Sequence, residues 1–473
     1  RGRLLLARDR VGKKPLYYAL TAGGVTFASE IAALLEDPDV PREPDLEAIH
    51  HYLTLQYVPA PLTAFRAIRK LPPAHRLVWE GGSITVEPYW RLRFTPKLRL
   101  SVPEATEALL AHLREAVRLR LVADVPLGAF LSGGIDSSTV VGLMSELTGD
   151  APKTISIGFE EESYDELRYA RMVAHRFGTD HHEIIVKPDA VQVLPALVRH
   201  YGEPFADSSA IPTYYVSRAA RSVVTVALTG DGGDENFAGY DRYVATRLAR
   251  LYAGLPGGIR RLGARMLVRA AQRLAPPVNG KSLGSRMARF FEAAGLEPEE
   301  RYCRWVCHFT TEQKAALCTE EFIRAGSFRP TSELLFGEGR GRSGSDSVDD
   351  LLALDVETYL PDDLLVKVDV AAMANSLETR APFLDHVLME FVARLPSGMK
   401  LRGLTKKYLL RRALRGWMPP GILRRRKMGF GVPLEMWLRR ELREFARRAS
   451  RPSAVAAGAI SIRPTSAGSL TST

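Results

Sequence analysis

Ser132-Gly133-Gly134-Ile135-Asp136-Ser137-Ser138 is the segment of this 473-residue chain whose residue types and spacing most directly imply chemistry. Adjacent glycines let the backbone come close to a ligand. Hydroxyls stand beside them at Ser132, Ser137 and Ser138. An apolar run, Val125 to Leu131, precedes the segment, and a helical pattern, Ser137 to Leu147, follows it. In a strand–loop–helix unit the helix points its free N–H groups and positive dipole end back at the loop. An anion belongs there, and a phosphate suits the loop best. It is not a Walker A loop, because no Gly-Lys-Ser/Thr follows at the required spacing. Asp136 would repel a phosphate unless a cation stood between them. Mg2+ bridging the carboxylate and phosphate oxygens resolves the conflict.

A second chemical segment is Thr229-Gly230-Asp231-Gly232-Gly233-Asp234-Glu235-Asn236-Phe237-Ala238-Gly239-Tyr240. It follows the apolar run Val223 to Leu228. Carboxylates this close on a glycine-rich turn repel one another unless a cation offsets them. Bound Mg2+ would do so; an acidic surface turn is the plainer alternative.

These loops need a scaffold, and hydrophobic periodicity supplies one. Val125 to Leu131, Thr154 to Phe159, His182 to Val186 and Val223 to Leu228 read as strands. They alternate with helical patterns over Glu104 to Leu121, Ser137 to Leu147, Asp165 to Phe177 and Ile211 to Arg221. The alternation predicts an α/β fold, a parallel sheet flanked by helices, with ligands at the carboxyl ends of the strands. Residues 240–440 read as mostly helical, with a flexible loop at Gly337 to Ser347. Residues 1–95 read instead as short strands and turns, with hairpins at Leu16 to Ala28 and His75 to Val86. The predicted division is 1–95, 96–445 and a tail 446–473, which lacks periodicity and is expected to be disordered or frameshifted.

Composition is ordinary: 46% hydrophobic, 25% charged, net charge +11. No run approaches the ~20 apolar residues of a membrane helix, so no membrane partner is expected. The sparse cysteines, Cys303, Cys307 and Cys318, form no zinc pattern and fit a reducing cytoplasm. The positive charge favours anionic ligands such as nucleotides. Basic runs at Arg411-Arg412 and Arg424-Arg425-Arg426-Lys427 read as solvated helix faces, and no nucleic-acid-binding motif accompanies them.

The Ser132 loop carries the Ser-Gly-Gly-x-Asp-Ser motif of the N-type ATP pyrophosphatases, a group with an adenine nucleotide alpha hydrolase-like fold. Asparagine, argininosuccinate, GMP and NAD synthetases share it. The Thr229 to Tyr240 segment narrows the choice, since it resembles the acidic loop of asparagine synthetases. Leu364 to Asp369, Ser376 to Asp385, Leu401 to Arg412 and Arg426 to Pro433 resemble the C-terminal half of the same family. Arg8 to Tyr18 and Phe27 to Glu30 resemble the end of its N-terminal-nucleophile glutaminase domain, so residues 1–95 look like a β-rich remnant of that domain.

The resemblance implies ATP-dependent amidation of aspartate through β-aspartyl-AMP, with AMP and pyrophosphate released and ammonia drawn from glutamine in full-length relatives. It implies ATP binding by Leu131, Ser132, Gly133, Gly134, Asp136 and Ser137, with Ile157 contacting adenine and Thr229 and Gly230 the nucleotide. Asp231 matches the acidic residue tied to intermediate formation. Asp136 and Asp234 match the Mg2+–pyrophosphate carboxylates, and Lys427 matches a lysine that offsets charge on the α-phosphate. Arg380 is a candidate for substrate carboxylate or phosphate, or equally for an ion pair with Glu378 or Asp385. Full-length relatives often dimerise through the glutaminase domain, so a homodimer is compatible with the resemblance.

Departures are also legible. The family's glutaminase uses an N-terminal cysteine, whereas no cysteine precedes Cys303. The chain is expected to use free ammonia rather than glutamine. Asn236 stands where relatives carry Leu and needs a hydrogen-bond partner. Ala238 stands where they carry Gly and is harmless only at φ < 0. Many relatives carry a basic residue at Val370, with Lys367 one turn earlier. A ligase acting on another carboxylate, or an inactive fragment, remains the alternative.

Overall fold

The computed structural model describes residues 2–158, 166–186, 190–254, 283–325, 328–344, 347–425, 434–439 and 442–449, with positions 256, 266, 427, 429 and 431. The tail beyond 449 lies outside the described residues, as do Phe159, Asp165 and part of Arg426 to Pro433.

The N-terminal part is built from short antiparallel strands. These are β1 (Arg3–Ala7), β2 (Tyr17–Thr21), β3 (Gly24–Ala28), β4 (Ile68–Lys70), β5 (His75–Glu80) and β6 (Ser83–Pro88). They form two three-stranded sheets, in the orders β1-β5-β6 and β3-β2-β4. The β5–β6 hairpin turns on Gly81 and Gly82, at φ 59° and 83°, as a tight hairpin loop requires. One element departs from the strand-and-turn expectation. Leu46–Leu55 is a helix, opened by Asp45, whose carboxylate accepts from the Ala48 N–H at 3.1 Å.

Beyond it the expected alternation appears. Helix α3 (Val102–Arg120), numbered after the helices Ile31–Leu34 and Leu46–Leu55, begins with a capping box between Ser101 and Glu104. It buries Leu109, Leu113 and Val117, each worth about 2 kcal/mol in removed apolar surface. Then come β7 (Leu127–Phe130), α4 (Ile135–Thr148), β8 (Lys153–Gly158), α5 (Leu167–Phe177), β9 (Asp180–Ile185), α6 (Ala190–Tyr201), α7 (Ala210–Arg221) and β10 (Val226–Leu228). A further strand, β11 (Glu378–Arg380), was not visible in the sequence pattern. All strand pairs of this sheet are parallel, in the order β11-β10-β7-β8-β9.

Neighbouring residues of a strand face opposite sides of a sheet, and each side here has its own core. Ala129, Leu131 and Leu228 pack with α3, α4 and α5. Ile155, Ile157 and Ala227 pack with α6, α7 and the helix Val366–Met373. The strand order reverses between β7 and β10, leaving a crevice at their carboxyl ends.

Among the described residues the remainder is mostly helical, as expected. Within the Gly337 to Ser347 segment, of which Ser345 and Asp346 lie outside the described residues, Gly337–Gly339 form a 3-10 turn, and Ser343 bonds Asp350 through its N–H at 2.8 Å and its hydroxyl at 2.7 Å. The β-rich part is tied to the parallel-sheet part by the buried pair Lys70–Glu203 at 2.7 Å and by the Ala60 N–H donating to Asp362 at 2.8 Å.

Candidate functional site

The two loops singled out by their chemistry leave adjacent strands on either side of the strand-order reversal. The first follows β7 and enters α4 at Gly134, a position with no side-chain cap. The first-turn N–H groups of α4 are therefore not taken up by a capping side chain. Hydroxyls shape the loop itself. Ser132 and Ser137 share a hydrogen bond at 3.0 Å, and the Gly134 N–H donates to Ser132 at 3.3 Å. Gly133 has φ 66°, and a Cβ there would lie 2.4 Å from Cβ of Tyr169 on α5. Only glycine fits.

The second loop follows β10. The Thr229 N–H donates to the Arg380 carbonyl at 2.8 Å, which anchors the loop to β11. At Gly230 a Cβ would lie 2.8 Å from the Ser137 nitrogen, so the loops touch backbone to backbone. Asn236 finds the partners that its burial demands: its side-chain amide donates to the carbonyls of Gly232 at 2.8 Å and Phe383 at 2.9 Å. Ala238 has φ 54°, so the condition for a harmless alanine is not met and the residue sits strained in the left-handed region.

Between the loops lies a cavity of about 330 Å³. Leu131, Ser132, Gly134, Asp136, Ser137, Ile157, Thr229, Gly230, Asp231, Asp234 and Lys427 all line it. Gly133 lies just behind, packed on Tyr169. Arg380 is placed elsewhere. It faces a second cavity, and its guanidinium bonds Glu378 at 2.7 Å and the carbonyls of Arg120 at 3.0 Å and Val122 at 2.7 Å. Of the two roles weighed for it, this geometry matches the ion pair with Glu378.

Charges within the first cavity are paired. Lys407 contacts the Asp136 carboxylate and lies 2.7 Å from Asp234. Lys427 contacts the other oxygen of Asp234, and its ammonium stands 4.2 Å from the centre of the Tyr240 ring. Burial opposes ionisation of Asp234, but the two lysines outweigh it and hold this carboxyl below its ordinary range. Asp136 shifts the other way, because burial outweighs the pull of Lys407. Burial also raises Asp231, against a hydrogen bond involving Thr229. Burial and the neighbouring Asp234 charge push Glu235 up to about 7, with the Tyr240 hydroxyl donating to it. Lys367, on the cavity wall, pairs with Asp207 at 2.8 Å.

Sequence reasoning gave Lys407 and Glu235 no site role, and its reading of the Arg424 to Lys427 run as a solvated face does not hold for Arg425, whose side chain is 9% exposed. Arg425 lines the cavity, donates to the Ser132 carbonyl at 2.9 Å, pairs with Glu166 and stacks over Tyr169 at 4.3 Å. Lys407 lay within a family-like stretch but carried no local signal of its role.

The Asparagine synthase family model matches residues 108–465, most of the chain. The chain belongs to the asparagine synthase family. A Glutamine amidotransferase domain model matches residues 1–90. Among curated relatives, asparagine synthetase [glutamine-hydrolyzing] 1 of Bacillus subtilis is 34% identical over 93% of this chain and 67% of its own length. A putative asparagine synthetase of Mycobacterium bovis is 35% identical over 94% and 67%. Amidase chyE of Penicillium rubens is 27% identical over 92% and 68%.

Among the described residues no three His, Cys, Asp or Glu side chains gather as a metal cage. Mg2+ does not need one, since it is commonly held by one or two carboxylates plus substrate phosphates. One oxygen of Asp136 is buried without a hydrogen-bond partner. The residues present therefore fit a magnesium–nucleotide complex.

Proposed function

We propose that this chain forms an amide by activating the side-chain carboxylate of aspartate as an acyl-adenylate. The observation that carries the reading is the convergence of the Ser132 to Ser137 loop and the Thr229 to Asp234 loop on one cavity, with Asp231 and Lys427 on its walls. The loop after β7 and the N-terminus of α4 bind the pyrophosphate of ATP through backbone N–H groups and hydroxyls. Ile157 contacts adenine from β8, while Thr229 and Gly230 hold the nucleotide from the other side. Asp136 and Asp234 would hold Mg2+, which would supply charge neutralisation for the pyrophosphate.

The aspartate carboxylate attacks the α-phosphorus, pyrophosphate leaves, and β-aspartyl-AMP forms. Lys427 is a fixed positive charge where negative charge grows on the α-phosphate, a large catalytic term in such sites. Asp231 acts in forming the intermediate. Ammonia then attacks the acyl carbon and AMP leaves as the amide forms, with one proton lost from the nitrogen. Arg380, held by Glu378 and two carbonyls, serves the stability of β11 rather than the substrate. The β-rich residues 1–95 and the parallel-sheet residues 96–445 form the proposed domains.

The test is AMP and pyrophosphate formation from ATP, aspartate and ammonia, with Asp231→Ala as control. Turnover that prefers another carboxylate over aspartate would move the chain to the alternative ligase reading, while AMP formation unaffected by Asp231→Ala would refute the site.

A further inference from the structure

Asp136 and Asp234 do not face one another as bare charges. Lys407 stands between them, only 5% exposed, its ammonium in contact with Asp136 and 2.7 Å from Asp234. Its backbone is held at φ 52°, a left-handed conformation that costs a non-glycine residue energy and persists where surroundings impose it. The Lys407 N–H donates to the Phe237 carbonyl at 3.1 Å, and its stem runs so close to Gly239 that a Cβ there would lie 2.5 Å from Cε. The short helix Gly233–Phe237 and the chain around Gly239 thus lock the lysine in place. Asp234 is also paired with Lys427. The two carboxylates are therefore balanced by two ammonium groups before any ligand enters.

We propose that Lys407 holds Asp136 and Asp234 in the nucleotide-free protein in place of a metal ion, and so makes metal binding depend on the nucleotide. This rests on the ATP reading of the site. A divalent cation arriving alone at the open oxygen of Asp136 meets the Lys407 ammonium already held by both carboxylates, and must either bear that repulsion or displace the lysine from Asp136, leaving a buried ammonium with one of its two anionic partners. With pyrophosphate oxygens present, the displaced ammonium gains new anionic partners and the exchange becomes favourable. Lys407 is in this account a positioning residue.

The experiment measures Mn2+ binding to the nucleotide-free protein by electron paramagnetic resonance. Wild type, Lys407→Asn and Lys407→Arg are compared, with pyrophosphate release assayed separately on wild type. Asparagine tolerates the left-handed backbone, so this variant removes the charge with least strain. Wild type and Lys407→Arg are expected to take up Mn2+ weakly, and Lys407→Asn at least about tenfold more tightly, since two carboxylates then lack their shared cation. Equal affinity in wild type and Lys407→Asn would overturn the inference. So would tight Mn2+ uptake by nucleotide-free wild type that Asp136→Asn abolishes, a result readable even if the Lys407 variants do not fold. Failure of wild type to release pyrophosphate would instead count against the ATP reading, independently of the Mn2+ result.

Discussion

Replacing Lys427 by glutamine removes a positive charge from the wall where the adenylate forms, while the hydrogen-bonding length of the side chain is roughly kept. A unit charge about 4 Å from a growing negative charge is worth about 4 kcal/mol at an effective dielectric of about 20. The Lys427 side chain is 35% exposed, and solvent screening brings this down to about 2 kcal/mol. That corresponds to a fall of roughly 30-fold in kcat. Asp234 keeps Lys407 as a partner, so the loop itself holds its shape. The assay is steady-state pyrophosphate release at saturating aspartate and ammonia, with ATP varied. An interaction made mainly in the transition state lowers kcat and leaves the KM for ATP nearly unchanged. A kcat within twofold of wild type, or a loss seen wholly in KM, would refute the role given to Lys427.

Three further outcomes follow from the same geometry. Gly133→Ala places a Cβ 2.4 Å from Tyr169, and binding of a fluorescent ATP analogue is expected to weaken by at least about tenfold as the loop shifts; unchanged binding would contradict the loop assignment. Glu235, pushed up to about 7, keeps a proton in the folded state that the unfolded chain has lost above its ordinary value. Stability is therefore full below about pH 4.5 as far as this group is concerned, and is lost as pH rises through 7, by an amount on the order of 3 kcal/mol. Glu235→Gln should flatten the fall in Tm between pH 5 and 8, and an identical slope in the variant would count against it. Ala238→Gly relieves a left-handed alanine at φ 54°, so chemical denaturation should show a gain of about 1 kcal/mol; a loss would show that the alanine methyl packs better than its backbone suffers.

The parallel-sheet scaffold was largely legible because its signals are local. Apolar runs such as Thr154 to Ile157 and helical spacing such as Leu109, Leu113 and Val117 need no knowledge of distant residues. Ends were less legible: the strand predicted at Val125 to Leu131 is Leu127–Phe130, and the helix predicted from Ser137 begins at Ile135. β11 escaped because Glu378, Thr379 and Arg380 are polar and short, and become a strand only by pairing with β10 at the sheet edge. The helix Leu46–Leu55 was lost among β-like neighbours, although Asp45 before Leu46 and apolar Ile49 and Leu53 were available as signals.

The site divides in the same way. Glycine and serine spacing revealed the Ser132 loop, and clustered carboxylates revealed the Thr229 loop. The expectation that a cation must offset those carboxylates was sound in its electrostatics, yet the cations seen in the fold are lysines: Lys427 and, between the two loops, Lys407. Lys407 lies 271 positions from Asp136, and no periodicity connects the two. Arg380 is the opposite case. A guanidinium inside a family-like motif suggested an anion partner, while the fold spends its donors on Glu378 and the backbone of Arg120 and Val122.

Adenylation of the carboxylate is the central step proposed for this chain. Incubating residues 1–473 with ATP, aspartate and ammonia, and following 18O from the aspartate side-chain carboxylate, tests it in one measurement. AMP and pyrophosphate are expected to form in step with amide, with one 18O appearing in AMP and all three products lost in Asp231→Ala. Release of ADP and phosphate, or AMP free of the label, would contradict an acyl-adenylate at this site.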